Sequence, residues 1–531
     1  MAAMPSFILF ITDQHRVDYF GCYGHPVVRT PNIDRIAAAG SVFERCYVNS
    51  PVCMPNRSSL MTGRVPAAHG VIHNGIPLSV EAVTFVDLLR AAGARTALVG
   101  KSHLQNFTGK ERLLPRPGAA AGPGRQPPPE LSQADRGWRD GAGYDNESPS
   151  RWADPDARVD TPFYGFDHVE LVTSHGDEVG GDYRRWLRER RPDAEATLMG
   201  EANGLPHDYS VPQAVRTAMP PELYSSAYIG ERASAWLTGC PADQPFFLMV
   251  SFPDPHHPFN PPGHYWDMYR PEQFDLPAAF REPAWQAPPH VQAMIAARDA
   301  GTAVTGGQAG FACSAREALE ARALTAGMIT CIDDAIGQVM SALAASGRAQ
   351  DTVVMLTADH GDYLGDHRLL LKGVPQYDTI THVPLIIADP QHAAQAARVT
   401  ALAQTIDIPA TILDRAGLAP YHGLQGKSLL PTLDGQAAVR DEVLVQFDGQ
   451  RLVPGTNVQQ RAHTLVHDRW RMTLYDGVEW GELYDLQADP GELINLWRAP
   501  AYAEIRTMMT ERMLRAEIAS VQRVPLASSL A

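Results

Sequence analysis

The chain has 531 residues, 44% hydrophobic and 20% charged, which is the usage of a folded protein and excludes disorder throughout. Asp and Glu number 60 against 45 Lys and Arg, and the resulting charge of −15 argues against a general nucleic-acid binder, because phosphate contacts need a basic surface. The length allows about three to four domain-sized units, or one large α/β domain with an appendage.

In chain order, the first apolar run is Phe7 to Ile11, which ends at Asp13 and is too short for a signal peptide. Similar runs follow at Thr96 to Val99, Phe246 to Val250, Val353 to Leu356 and Leu385 to Ile387. They are rich in β-branched or aromatic residues, as buried parallel strands are. Helical patterns lie between them at Asn32 to Ala39, Phe85 to Ala92, Tyr224 to Leu237 and Ala318 to Leu343, with Gly40, Gly93 and Gly417 as stop signals. This alternation predicts a parallel α/β sheet.

Two stretches break the rhythm, about 106–220 and 260–311, and are read as irregular excursions that shape the mouth of a site. Arg184, Arg185, Arg188, Arg190 and Arg191 read as a solvated helix face. Near the C-terminus, HTLVHDRWRMTLYDG and GELYDLQADPGELINL predict a small antiparallel sheet, closed by a helix from Tyr502 to Ala519. No apolar run approaches ~20 residues, so no membrane helix is expected. Six cysteines without a CxxC pair (Cys22, Cys46, Cys53, Cys240, Cys313 and Cys331) fit a reducing compartment, and a cytoplasmic protein is expected.

Ligands of an open parallel sheet bind beyond the carboxyl ends of its strands. The residues there are Asp13 and Gln14; Lys101 and His103; Asp254, His256 and His257; and Asp359, His360 and Asp362. Four strands thus deliver carboxylates, imidazoles and an ammonium to one edge. Asp13, Gln14, Asp359 and His360 form a divalent-metal set whose oxygens favour Ca²⁺, Mg²⁺ or Mn²⁺ and whose imidazole tilts towards Mn²⁺ or Zn²⁺. In SPVCMPNRSSLMTGR, Pro55 suits a first helical turn. Cys53 then falls at the positive end of that helix, with Arg57 one turn along.

Cys53-Met54-Pro55-Asn56-Arg57 with the following SSLMTGR resembles the signature of the type I sulfatases of the alkaline phosphatase superfamily. The resemblance spans nearly the whole chain through Asp13-Gln14, GCYGHP, TPNIDRIAAAG, GKSHL, PHHPFNPP, ADHGDYLGDH with Lys372, and ELYDLQADPGELINL. It implies an alkaline-phosphatase-like, mostly parallel central sheet flanked by helices. It also implies a catalytic domain over 1–440 and a smaller C-terminal α+β subdomain with an antiparallel sheet over 441–531.

The resemblance further implies that Cys53 becomes formylglycine through a formylglycine-generating enzyme. One divalent ion, Ca²⁺ or Mn²⁺, is implied at Asp13, Gln14, Cys53, Asp359 and His360. The substrate is then a small-molecule sulfate ester, attacked by the hydrated aldehyde of residue 53. His256 is the candidate general acid, Lys372 its rival, and His103 the base that lets the aldehyde reform. Lys101, Lys372 and Arg57 supply positive charge around the transferring oxygens, and Asn74 a hydrogen bond. His257 and His367 are expected to support structure.

Gln14, Asn74 and Lys372 are also similar to positions of phosphonate monoester hydrolases, whereas Lys101 and His103 resemble the sulfatase GKxH pattern. Sulfate monoesters are therefore expected first, with phosphonate monoesters or phosphodiesters as the alternative. Trp138, Trp152, Tyr164, Tyr265 and Trp266 either stack on an aryl or sugar group or simply pack. The tail from Trp497 to Ala531 is expected to reach a neighbouring subunit of a homo-oligomer. The whole reading requires residue 53 to lie beside residues 13 and 359, within reach of a solvent-filled cleft.

Overall fold

The computed structural model describes residues 4–529 apart from 112, 114–127, 129–130, 132, 136, 138, 283–284 and 393–396. The strands are β1 Ser6–Thr12, β2 Ser41–Tyr47, β3 Arg95–Gly100, β4 His168–Thr173, β5 Gly180–Gly181, β6 Phe246–Ser251, β7 Phe311–Ala312 and β8 Thr352–Ala358. They continue as β9 Leu369–Leu370, β10 His382–Ala388, β11 Ala397–Val399, β12 Ala403–Gln404, β13 Glu442–Leu452, β14 Gln459–His467, β15 Trp470–Tyr475 and β16 Gly481–Asp485.

The central sheet runs β11-β2-β10-β8-β1-β6-β3-β4-β5, with β12 also on β2. The middle five, β8-β1-β6-β3-β4, are parallel, and β10 pairs antiparallel to β8 and β2. Side chains alternate across each strand. Ile8 and Phe10 of β1 join one core with Leu248, Val250, Ile229, Ile332 and Ile336; Phe7, Leu9 and Ile11 join the other with Met54, Leu60, Leu89 and Ile412. Both faces are therefore covered by helices, which is why these strands read as continuous apolar runs.

All five strand-like runs of the sequence are strands, and the four helical patterns are Pro31–Ala38, Phe85–Ala91, Ser225–Thr238 and Ala315–Ala345. The last is long and apolar enough to cross a membrane, with a mean hydropathy of 1.3. Its apolar side instead packs in the core, on Ser225–Thr238. Gly230 makes that crossing close, since a Cβ there would lie 3.2 Å from that of Ala335.

The excursions are more ordered than their composition suggested. The stretch 106–220 contributes β4, β5 and the helix Asp182–Arg190, and 260–311 contributes the helix Pro289–Asp299. Short strands embedded in polar, proline-rich sequence carry too little periodicity to stand out. On Asp182–Arg190 and just beyond it, the arginines pair with carboxylates of Asp182, Glu195, Glu231 and Asp193, a charged surface as expected.

β13-β14-β15-β16 form the antiparallel C-terminal sheet. The helix Ala503–Ser520 closes it by burying Met509 and Met513 on Leu444, Leu465, Met472 and Leu483. The end of β13 reaches back to the loop that carries Asn74. There Gln450 Nε2 donates to Asn74 O (2.6 Å), and Gln450 Oε1 accepts from Leu113 N (3.0 Å).

Candidate active site

Sheet register builds the site. Ile11 pairs with Ser251 and Thr12 with Ala358, so the residues that follow those strands leave at one level. Asp359 N donates to Thr12 O (3.1 Å), Asp13 N to Asp254 O (3.0 Å) and Lys101 N to Ser251 O (2.8 Å). Gly100 is needed for the last approach. Its φ is +111°, and a Cβ would lie 1.8 Å from Ser251 O.

Between β2 and the first cross-over helix, the chain enters the helix Cys53–Thr62, every residue of which is buried. Val52 supplies no side-chain cap, and Pro55 has no N–H to satisfy. Asn74 supplies the cap from another loop, its Oδ1 accepting from Met54 N at 3.0 Å. The helix presents Cys53 to the strand edge. Its Sγ lies 3.2 Å from His360 Nε2, 3.1 Å from Lys372 Nζ and 3.8 Å from Asp13 Oδ1. Ligand atoms of Asp13, Cys53, Asp359 and His360 all fall within 4.8 Å of one another.

Arg57 braces this group from below. It donates to Asp359 Oδ2 (2.7 Å), Asp13 Oδ2 (3.2 Å), Ser251 Oγ (2.9 Å) and Lys101 O (3.0 Å). Its guanidinium is thus held against the two carboxylates and fixes their orientation. Burial alone would raise the Asp13 carboxyl, but Lys101 and Arg57 outweigh it and hold Asp13 well below the usual range. Burial pushes the Cys53 thiol up and Asp13 adds to the rise, against the pull of Lys372 and Lys101.

Gln14 stands at φ +58°, with its N–H on Asp359 Oδ1 (3.1 Å). Its Nε2 is held by Asp362 and by His257 Nδ1 (3.1 Å), which leaves Oε1 buried without a partner beside the carboxylates. Two carboxylates and an imidazole that converge within 4.8 Å, with an unpartnered amide oxygen on the residue next to Asp13, fit a divalent cation. His257 is therefore a support for Gln14, as expected.

On the other side, Lys101 Nζ bonds Asp13 Oδ2 and stands 2.7 Å from His175 Nε2. His256 stacks on His175 with centroids 3.5 Å apart. Its Nδ1 contacts His257 O (2.5 Å), and its Nε2 is buried and unpartnered. His103 stands at φ +56°, its ring on Phe107 at 3.8 Å and its Nδ1 unpartnered. Burial first, then the neighbouring Lys101, lowers His103 and His175 well below the ordinary imidazole range. His256 is lowered by burial, then by His175 and His257.

The loop carrying His103 is fixed by Glu147, whose carboxylate accepts from the backbone N–H groups of His103, Leu104 and Gln105 (2.8–2.9 Å). His175 and Glu147 escaped the sequence reading. Both lie in the first excursion, and the one signal for His175 was HVELVT, a β-branched run ending in Ser-His.

Position 53 lies beside 13 and 359, as the reading requires. Its other requirement is not met, because Cys53, Asp13, Lys101 and His256 are fully buried. A hollow of about 300 Å³ lies elsewhere, among Arg16, Asp378, His382 and Glu492. Tyr164, Tyr265 and Trp266 are core residues, and Trp152 is held through Asn146 O (2.8 Å); Trp138 lies outside the described residues.

The sulfatase family model matches residues 5–418, and a C-terminal model of N-sulphoglucosamine sulphohydrolase matches 365–519. The chain is 27% identical to the uncharacterized sulfatase YidJ of Escherichia coli, over 96% of this chain and 86% of that one. It is 28% identical to the multifunctional alkaline phosphatase superfamily protein PehA of Trinickia caryophylli, over 94% and 92%. Among solved structures, the phosphonate monoester hydrolase of Agrobacterium radiobacter superposes with a TM-score of 0.74 at 26% identity, covering 97% of this chain and 96% of that one. This chain belongs to the sulfatase family.

Proposed function

We propose that this sulfuric ester hydrolase cleaves sulfate monoesters of small alcohols or phenols, with residue 53 attacking as formylglycine. The observation that carries the reading is the position of Cys53 Sγ, at the positive end of its helix and within 3.8 Å of His360, Lys372 and Asp13. A thiol there is a poor nucleophile, since burial and Asp13 keep it protonated. Conversion by a formylglycine-generating enzyme removes the sulfur and supplies two hydroxyls: one to attack, one whose deprotonation later expels sulfate without water attacking the sulfur centre. Asp13, Gln14, Asp359 and His360 would hold Ca²⁺ or Mn²⁺, which when bound supplies Lewis acidity beside residue 53.

The chain's own residues do the rest. Lys372 places its ammonium against residue 53 and Lys101 places its own against the neighbouring Asp13, and both attract the sulfate oxygens. Arg57 keeps Asp13 and Asp359 aligned. His256 Nε2 delivers the proton to the leaving oxygen. The neutral imidazole gains that proton once the anionic ester arrives, because opposite charge favours the cation. Lys372 faces the attacking atom, which favours His256 as the acid. His103, with its unpartnered Nδ1, takes the proton that releases sulfate.

Gln14 and the likeness to the phosphonate monoester hydrolase support phosphonate cleavage as a second activity. Lys101 and His103 favour sulfate. Six unpaired thiols support a cytoplasmic setting, and exposed Leu514 and Ile518 on the closing helix, with Val521 just past it, support a homo-oligomer.

The test combines mass spectrometry of the residue-53 peptide with a panel of aryl sulfate, aryl phosphonate and bis-aryl phosphate. Formylglycine and preferred sulfate cleavage are expected. An active enzyme that retains sulfur at residue 53, or that cleaves only phosphorus esters, overturns the reading.

A further inference from the structure

Beyond β4 the chain turns through Ser174 (φ +68°) and Gly176 (φ +66°) and drops His175 into the site. The turn abuts the segment that carries His256: a Cβ on Gly176 would lie 2.7 Å from Pro258 Cγ. His175 is 6% exposed. Its Nε2 is 2.7 Å from Lys101 Nζ. An ammonium only donates, so Nε2 is the acceptor and the ring proton sits on Nδ1. One face of the ring lies on His256, nearly parallel at 8°, and Phe107 packs edge-on at 5.4 Å.

We propose that His175 is a positioning residue for ester cleavage: it holds Lys101 Nζ between two acceptors and plates the His256 ring so that its free Nε2 faces the leaving oxygen. The proposal rests on the sulfate-ester reading above. Without the acceptor, Lys101 pairs with Asp13 alone and its charge turns away from the transferring oxygens. Without the plate, the His256 ring loses its fixed plane, and proton delivery suffers most where the leaving group needs it most.

A rival role is visible in the same geometry. Ligand atoms of Asp13, His175 and His256 lie within 4.8 Å of one another, so they could share a cation. Lys101 already places its ammonium against two of the three, which favours hydrogen bonding over metal ligation.

The experiment compares the metal-loaded wild type with His175→Ala, His175→Phe and His175→Gln on aryl sulfates whose phenols span a range of pKa, with metal content measured for each. His175→Phe keeps a plate but no acceptor and should raise KM about 10-fold across the series. His175→Ala should also lose kcat unevenly, about 10-fold for the best leaving group and 100-fold or more for the poorest. His175→Gln keeps an acceptor for Lys101 and should restore KM, with one metal per chain throughout. Equal loss across the series in His175→Ala, or a second metal in the wild type that His175→Ala removes, overturns the proposal. A wild type that cleaves no ester defeats the underlying reading, and this one with it. An active wild type matched by His175→Ala defeats this one alone.

Discussion

Two of the buried charge clusters in this molecule are built to opposite ends. Around Arg471 the charges are closed on themselves. The guanidinium binds Glu492, Glu482 (3.3 Å), Thr473 Oγ1 (2.8 Å) and Gln376 O (2.6 Å); Tyr475 Oη donates to Glu482 (2.6 Å), and Glu492 accepts from Asp378 N (2.7 Å). Around Cys53 the charges are as deeply buried, but Gln14 Oε1, His103 Nδ1, His256 Nε2 and His257 Nε2 have no partner. A buried polar atom without a partner costs about 1–3 kcal/mol, so a fold tolerates several together only where something else meets them. At Arg471 the charged groups are all paired, although the neighbouring Tyr377 Oη and His367 Nδ1 are not; at Cys53 the unmet atoms belong to the side chains that the proposed chemistry uses.

The contrast breaks most sharply by substitution. Cys53→Ala should lower turnover by about 10⁴-fold or more, a barrier change of at least ~5 kcal/mol, with a thermal midpoint close to wild type. A variant that stays active removes residue 53 as nucleophile. Arg471→Met should do the reverse. It strands Glu482 and Glu492 in the interior and should cost about 3–5 kcal/mol in urea unfolding, while the folded fraction keeps its kcat. Unchanged stability would show that the Arg471 cluster does not hold the C-terminal sheet in place.

The same contrast explains what the sequence made legible. Asp13, Lys101, His256 and Asp359 each follow a short apolar run, so one rule about strand ends found them all, and the parallel register then set them side by side. Cys53 was legible because Pro55 and Arg57 fix its place on a helix. His175 was not, because its strand lies in polar sequence and its entry depends on a turn at positive φ. Gln450 was not, because it reaches Asn74 from 376 residues away, and no local pattern records such a contact. Arg57 was found, but not its partners. Its spacing placed it near the site, and only the fold aims it at Asp13 and Asp359.

A smaller effect sharpens the boundary between the clusters. Glu147 is buried, and burial outweighs its three backbone donors to push the carboxyl up to about 7, above its ordinary 4.5. The folded state thus binds this proton more tightly than the unfolded chain does. Its contribution is full below about pH 4.5 and is lost as pH rises towards 7, at most about 3 kcal/mol. Glu147→Gln should flatten the fall in unfolding free energy between pH 4.5 and 7. An identical slope in both proteins would detach Glu147 from the pH dependence.

Asn74 gives the smallest change, and it separates capping from recognition. Its Oδ1 satisfies Met54 N at the helix end that presents residue 53, and Gln450 holds its backbone. Asn74→Ala leaves that N–H without its acceptor and should cost about 1 kcal/mol, with some loss of turnover as the helix end loosens. Asn74→Asp keeps the acceptor and sets a carboxylate against the positive helix terminus, so stability should stay within about 1 kcal/mol of wild type. The same carboxylate lies beside the place where an anionic ester must bind, so KM should rise as stability holds. If Asn74→Asp binds substrate as wild type does, Asn74 serves the helix alone and takes no part in meeting the ester oxygens.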